Sequence, residues 1–161
     1  MNTARAVSPS PATINERNQY LSFALGEDEY AIDILRVQEI LCICPITPLP
    51  QTPHHVRGVM NLRGAVVPVV DMRAALGLAS EEYGKFTVIM VLSIHERTIG
   101  FVVDRVSDVL SFEANAIERS PDLGGRVDAS VVSGIARTQD RFVVMLDLER
   151  LVGADVGVGL A

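Results

Sequence analysis

Cys42-Ile-Cys44 and His54-His55 are the residues of this 161-residue chain whose types could hold a metal ion. Tetrahedral zinc takes four thiolate or imidazole ligands about 2.0 to 2.3 Å from one point, typically spaced as Cys-x-x-Cys and His-x(3 to 5)-His. Neither spacing is present. On extended backbone, Cys-x-Cys puts both thiols on one face, where they pack as small apolar groups, while adjacent histidines point apart. No metal or cofactor is therefore expected, and a Cys/His metal or redox protein stands as the distant alternative. Nucleophile and phosphate motifs are missing as well. The chain has no Gly-x-x-x-x-Gly-Lys-[Ser/Thr] loop, no Gly-x-Gly-x-x-Gly and no Gly-x-Ser-x-Gly elbow. Gly124-Gly125 reads as a flexible linker, and His95 falls in a hairpin turn beside no sequence-evident nucleophile. The chain is not expected to be an enzyme. Glu39 and Arg63 are the more informative charges, because a guanidinium fork held at the rim of a groove can bond two acceptors and anchor a partner.

The elements that position these residues are laid out twice. Tyr20 to Ala31 overlays Ile89 to Gly100 at an offset of 89 − 20 = 69, apolar on apolar, and Arg36-Val-Gln-Glu-Ile-Leu41 continues onto Arg105-Val-Ser-Asp-Val-Leu110. Beyond a longer linker in the second copy, Gly58-Val59 meets Gly134-Ile135, and Val69-Val-Asp-Met72 meets Met145-Leu-Asp-Leu148, at an offset of 134 − 58 = 76. Two copies of about 60 residues make a two-lobed domain rather than a solenoid, which needs about three repeats. Each copy alone would bury only about 60% of its unfolded surface, so the two should pack together around a groove.

Within each copy the pattern is that of short strands. Leu21, Phe23 and Leu25 alternate with Tyr20, Ser22 and Ala24, as in a half-buried strand. Gly26 to Glu29 is a turn. Ile32 and Ile34 share a face that Val37 breaks, which predicts a β-bulge near Leu35-Arg36; Phe101, Val103 and Val106 repeat the slip. The Pro-rich stretch from Pro45 to Pro53 is a loop, because proline donates no ladder hydrogen bond. Val56 to Leu62 and Ala65 to Val70 form a hairpin about Arg63-Gly64, with Pro68 placing its second strand at an edge or a bulge. Asp71 and Asp147 cap short helices that Gly77 and Gly153 end. The fold expected is all-β, two units of about five short strands, each with a terminal helix; whether strands pass from one lobe to the other is left open by the sequence.

Net charge is −6 and no Lys/Arg-rich block occurs, so nucleic acid, whose binding rests on clustered cations, is not an expected partner. No apolar run approaches the roughly 18 residues of a membrane span, the best candidate, Phe86 to Ile94, being ended by His95-Glu96-Arg97. Met1 to Pro11 lacks the apolar core of a signal peptide, so the chain reads as cytoplasmic.

Phe23-Ala-Leu-Gly-Glu-Asp-Glu-Tyr30, Ile32-Asp-Ile-Leu-Arg-Val-Gln-Glu-Ile40, Thr47-Pro-Leu-Pro50, Arg57-Gly-Val-Met-Asn-Leu-Arg-Gly64, Val66-Val-Pro-Val-Val-Asp71 and Gly100 to Leu110 together resemble the CheW family of chemotaxis coupling proteins. The resemblance covers residues 19–152, between an N-terminal tail over 1–18 and a short tail over 153–161, with repeats at about 19–77 and 86–153. It implies two SH3-like five-stranded β-barrels and a non-enzymatic scaffold that links chemoreceptor cytoplasmic tips to the regulatory domain of the histidine kinase CheA, in the cytoplasm but recruited to membrane-associated arrays. Carried over position by position, it implies partner contacts at Val37, Glu39, Ile40, Gly58, Asn61, Arg63, Gly64, Val106 and Val109. An adaptor of a pilus-motility or other chemosensory pathway is the nearer alternative. Cys42-Ile-Cys44-Pro45 departs from the family motif.

Overall fold

The computed structural model describes residues 19–118, 131–137 and 141–153. The first copy supplies β1 (Gln19–Leu25), β2 (Asp28–Asp33), a 3-10 turn (Ile34–Arg36), β3 (Val37–Cys42), β4 (Val56–Leu62), β5 (Ala65–Asp71) and α1 (Met72–Ala75). The second supplies β6 (Val88–Ile94), β7 (Arg97–Val103), β8 (Arg105–Ser111), β9 (Ile117–Glu118), β10 (Val132–Arg137), β11 (Phe142–Leu146) and α2 (Leu148–Gly153). Among the described residues they make a five-stranded sheet, β3-β6-β7-β5-β4, and a six-stranded sheet, β9-β10-β11-β2-β1-β8.

Each sheet is thus a composite. The first hairpin of one copy lies between strands of the other, β1-β2 between β8 and β11, and β6-β7 between β3 and β5. Each exchanged hairpin makes one antiparallel join, β1 to β8 and β6 to β3, and one parallel join, Glu29 to Ala31 against Val143 to Met145 and Val69 to Asp71 against Gly100 to Val102. The five-stranded sheet curls shut where Thr47, beyond β3, bridges Val59 of β4, with N to O distances of 2.8 and 2.9 Å. In the other sheet β9 pairs with β10 at the corresponding place.

The apolar faces follow from this exchange. A small core of Met60, Val67, Val69, Ile89, Val91 and Val102 fills one barrel, and Ala31, Ala136, Val143 and Met145 fill the other. The largest core lies between them, built from Leu21, Phe23, Tyr30 and Ile32 of one sheet and Met90, Leu92, Ile99 and Phe101 of the other, with Met72 and Leu151 of the helices. Two expectations change here. Leu21 to Leu25 is buried on both faces, not alternately, because β1 is an inner strand with apolar packing on each side. The space between the lobes is also a packed core, not an apolar groove.

The slips in strand parity are real but lie slightly farther along. Ile34–Arg36 is a 3-10 turn, and the bulge falls at Gln38, since Val37 pairs with Leu92 and Glu39 with Val91. In the second copy Val106 pairs with Phe23 and Asp108 with Ser22, leaving Ser107 as the extra residue, again 69 positions on. Of the edge or bulge expected at Pro68, the edge is overturned, since β5 is an inner strand, while the hairpin's register shift falls in the facing strand at Arg57, opposite Val69 and Val70. Pro68 is tolerated one residue before the parallel pairing with β7 begins at Val69. The helix caps are as read. The Asp71 Oδ1 accepts from the Arg73 amide at 3.0 Å, and Asp147 Oδ1 from the Arg150 amide at 3.1 Å. Gly77 follows α1 with φ +79°, whereas Gly153 is the last residue of α2.

The chain passes between barrels at two places, and each is braced by a helix. Arg36, at the first, pairs with Glu149 of α2 at 2.7 Å. At the second, Arg73 of α1 grips Asp104 through Nε (3.0 Å) and Nη2 (2.6 Å), while the Gly26 amide donates to the same carboxylate at 2.7 Å. Burial pushes the Asp104 carboxyl up, but the hydrogen bonds from Arg73 and Gly26, with the charges of Arg73 and Arg105, outweigh it and hold it below its ordinary value.

Gly58, Gly77 and Asp104 give three stability predictions. A Cβ on Gly58, at φ +142°, would lie 2.0 Å from the Thr47 carbonyl oxygen, so Gly58→Ala is expected to cost about 3 kcal/mol in urea denaturation. At Gly77 a Cβ meets nothing within 4 Å and only φ is strained, so Gly77→Ala should cost about 1 kcal/mol. Because the folded Asp104 pKa is depressed, its contribution is complete above the ordinary carboxylate range and is lost as pH falls below about 4. Asp104→Asn should therefore lower stability at neutral pH and flatten that acid limb of the stability-pH curve.

Candidate partner-binding site

Glu39 of β3 and Arg63 of the β4–β5 turn come from opposite edges of the five-stranded sheet, and the curl of the barrel brings them together. Arg63 Nη1 donates to Glu39 Oε1 at 3.3 Å and Nη2 to Oε2, a two-pronged contact. The hydrogen bonds from Arg63 and its charge hold the Glu39 carboxyl below its ordinary value against the opposing effect of desolvation. Glu39 holds the guanidinium above its own in the same way. The Arg63 side chain is still 70% exposed, so its outer face is available.

The turn that presents Arg63 is built by its neighbours. Arg63 and Gly64 both take positive φ, +51° and +90°, and Asn61 Oδ1 accepts from the Gly64 amide at 2.8 Å. Asn61 and Gly64 therefore shape the hairpin as well as lie exposed on it. Gly58 is buried, and its lack of a side chain is what lets the Thr47-Pro48 backbone cross β4. Gly134 does the same in the second copy, where a Cβ would sit 2.5 Å from Ile117 Cγ2 and 2.9 Å from the Glu118 oxygen.

The remaining residues fall into equivalent pairs. Val37 and Val106, 69 positions apart, are partly buried against the central core from the outer strands β3 and β8. Ile40 and Val109, the same distance apart, are exposed at 42% and 49%. Seven of the nine sequence-predicted residues thus belong to one barrel, and Val106 and Val109 to the edge strand of the other. At the second copy's offset of 76, Arg63 falls on Gln139, 63 + 76 = 139, which lies outside the described residues, as does Gly124-Gly125.

Cys42 ends β3 and is exposed, while Cys44 lies beyond the strand with its Sγ 3.7 Å from the Met60 sulfur, so the two do not share a strand face as expected. The rings of His54 and His55 meet edge-on, centroids 5.6 Å apart. Among the described residues no three His, Cys, Asp or Glu stand together as a metal-binding group. No helix among them is long and apolar enough to cross a membrane.

Sequence reading missed Val66, Arg97 and Gln38, which share a cleft with Arg63. The signal for Val66 was parity: Val67 and Val69 point into the barrel, so Val66 must point out, and it is 74% exposed. Gln38 is marked only by the bulge, whose position the apolar pattern gave to within a few residues.

Comparison with known proteins agrees with this architecture. Residues 19–156 match the model of the CheW-like domain. The chemotaxis protein CheW of Klebsiella aerogenes is 37% identical over 137 residues, covering 85% of this chain and 82% of that protein. CheW of Rhizobium meliloti is 35% identical over 135 residues, covering 84% and 87%. The crystal structure of the scaffolding protein TtCheW from Thermoanaerobacter tengcongensis superposes with a TM-score of 0.77 at 32% identity, over 83% of this chain and 90% of that one. With the family model spanning all the described residues and the composite barrels matching a solved scaffold, this chain belongs to the CheW-like domain family.

Proposed function

We propose that this chain is a chemotaxis coupling protein that links chemoreceptor cytoplasmic tips to the regulatory domain of the histidine kinase CheA, acting in the cytoplasm on membrane-associated arrays and without catalysis of its own. The observation that carries the reading is the Glu39–Arg63 pair. It fixes an outward-facing guanidinium on the wall of a cleft that it shares with the exposed apolar side chain of Val66, an arginine next to apolar surface of the kind that anchors protein interfaces. Family membership supports the same reading, since the relatives bear the names of chemotaxis proteins and of a scaffold. The domain that does this work spans residues 19–152, the two tails lying outside it. Exposed faces on two barrels give room for two partners at about 800 Å² each.

The test is titration calorimetry with a purified receptor cytoplasmic fragment and, separately, with the CheA regulatory domain. Arg63→Glu and Glu39→Arg, each alone, are expected to weaken association with at least one partner by roughly tenfold. Combining the two substitutions restores opposite charges and should recover part of the loss if Glu39 serves to orient Arg63. Wild-type affinity in both single variants would remove this surface from the interface.

A further inference from the structure

Between α1 and β6 the chain joins its two copies, and over residues 79–86 it runs exposed, in neither helix nor strand. Such a stretch has few buried contacts and opens readily. This one is nevertheless tied down at three points. Arg73 Nη1 donates to the Ala79 carbonyl at 3.1 Å. The Arg57 guanidinium lies over the Tyr83 ring, 5.5 Å from its centroid. Gly84 and Thr87 close a turn, the Gly84 amide donating to Thr87 Oγ1 at 2.8 Å and the Thr87 amide to the Gly84 carbonyl at 3.3 Å.

The first two ties start from one buried carboxylate. Asp71 accepts from the Arg73 amide through Oδ1 and from Arg57 Nη2 through Oδ2, each at 3.0 Å. A charge-assisted bond therefore fixes the guanidinium on one side before the ring covers it. At the offset of 76, Arg57 falls on Ser133, 57 + 76 = 133, and the second aspartate, Asp147, faces Arg150 of its own helix at 3.5 Å. The cap is common to both copies, while the arginine that reaches out to the connector belongs to the first. Burial pushes the Tyr83 hydroxyl up from its ordinary value against the opposing charge of Arg57, as expected of a ring seated on the protein and not lying in water.

Clefts flank the connector. One of about 600 Å³ lies between Ser80 to Tyr83 and the loop residues Ile46 and Pro48, and one of about 420 Å³ lies where Gly84 to Thr87 pass Ile43 and Val106. The stretch therefore has room to lift without displacing a core. We infer that residues 79–87 form a latched strap: Tyr83 on Arg57 is the latch, Asp71 holds Arg57 in place to receive it, and release of that one stack opens the strap while both barrels stay folded. Opening lays bare the cleft walls at Ile46 and Pro48 on one side and at Ile43 and Val106 on the other.

The chain provides its own probe. Lys85 is its only lysine, so lysyl endopeptidase has a single bond to cut, Lys85 to Phe86, and the cutting rate of the folded full chain reports how often the strap is open. Each rate is taken relative to that of the same variant unfolded in urea, which removes any effect of the substitution on the protease itself. Wild type is expected to be cut far more slowly folded than unfolded. Tyr83→Ala should be cut roughly fivefold faster than wild type, the order expected for loss of one cation–π contact, and Tyr83→Phe, which keeps the ring, within about twofold of it. In an Arg57→Ala background, where no guanidinium lies against the ring, adding Tyr83→Ala should change the rate by less than about twofold. The urea midpoint of Tyr83→Ala should stay at the wild-type value. The latch is overturned if folded wild type is cut as fast as unfolded, if Tyr83→Ala is cut no faster than wild type, or if Tyr83→Ala has its full effect in the Arg57→Ala background as well. A urea midpoint that falls in step with the faster cutting also overturns it, since the opening is then that of the whole domain.

Discussion

Burying the inner face of one sheet against the inner face of the other is the constraint under which the rest of this molecule is arranged. Phe23, Tyr30 and Ile32 from one side and Met90, Leu92 and Phe101 from the other are all 2% exposed or less. They sit on hairpins that have changed places between copies, so no copy encloses a barrel on its own. The strand pairing that builds each composite sheet is also long-range in the chain: Ser22 Oγ bonds the Asp108 backbone across a separation of 86 residues. Folding therefore has to bring distant segments together before much apolar surface is covered, which places this domain among the slower-folding topologies.

The same arrangement explains why the two bulges matter. An outer strand that follows the barrel's curvature has to bend, and an extra residue supplies the bend while re-aiming the side chains beyond it. Gln38 and Ser107 do this at matching positions. Past the first bulge, the Glu39 side chain reaches Arg63 from the far edge of the sheet; past the second, the Asp108 backbone amide donates to the Ser22 hydroxyl, which donates to the Asp108 carbonyl. One structural device thus serves a surface charge pair in one barrel and strand anchoring in the other. A comparable divergence occurs at the crossings, where position 73 is Arg and the corresponding 149 is Glu, yet each pairs with an opposite charge on its crossing segment.

Much of this was legible in the sequence because it depends on local chemistry. Aspartate caps, turn glycines and the two parity slips are decided within a few residues, and the internal repeat made each visible twice. What was hidden depends on tertiary pairing. Nothing local tells β1 that it will lie between β8 and β2, so its burial on both faces could not be read from the alternation of Leu21, Phe23 and Leu25. Pro68 looked like the mark of an edge or a bulge because a proline costs a ladder bond; it is an inner-strand residue because pairing on one side has not yet begun. The candidate surface was only partly readable for the same reason. Charge chemistry and the resemblance both pointed to Glu39 and Arg63, whereas Val66 and Arg97 become neighbours only once β5 and β7 lie side by side.

The two crossings have a mechanical meaning. A single connection between lobes makes a hinge, since the chain can rotate about it at little cost. Here two connections run between the barrels, one braced by Arg36 and Glu149 and the other by Arg73 and Asp104, with a packed core between them. Such a body resists bending much as a truss does. A displacement applied to one barrel is carried to the other as rigid motion, so strain is delivered to whatever is attached and not absorbed within the molecule.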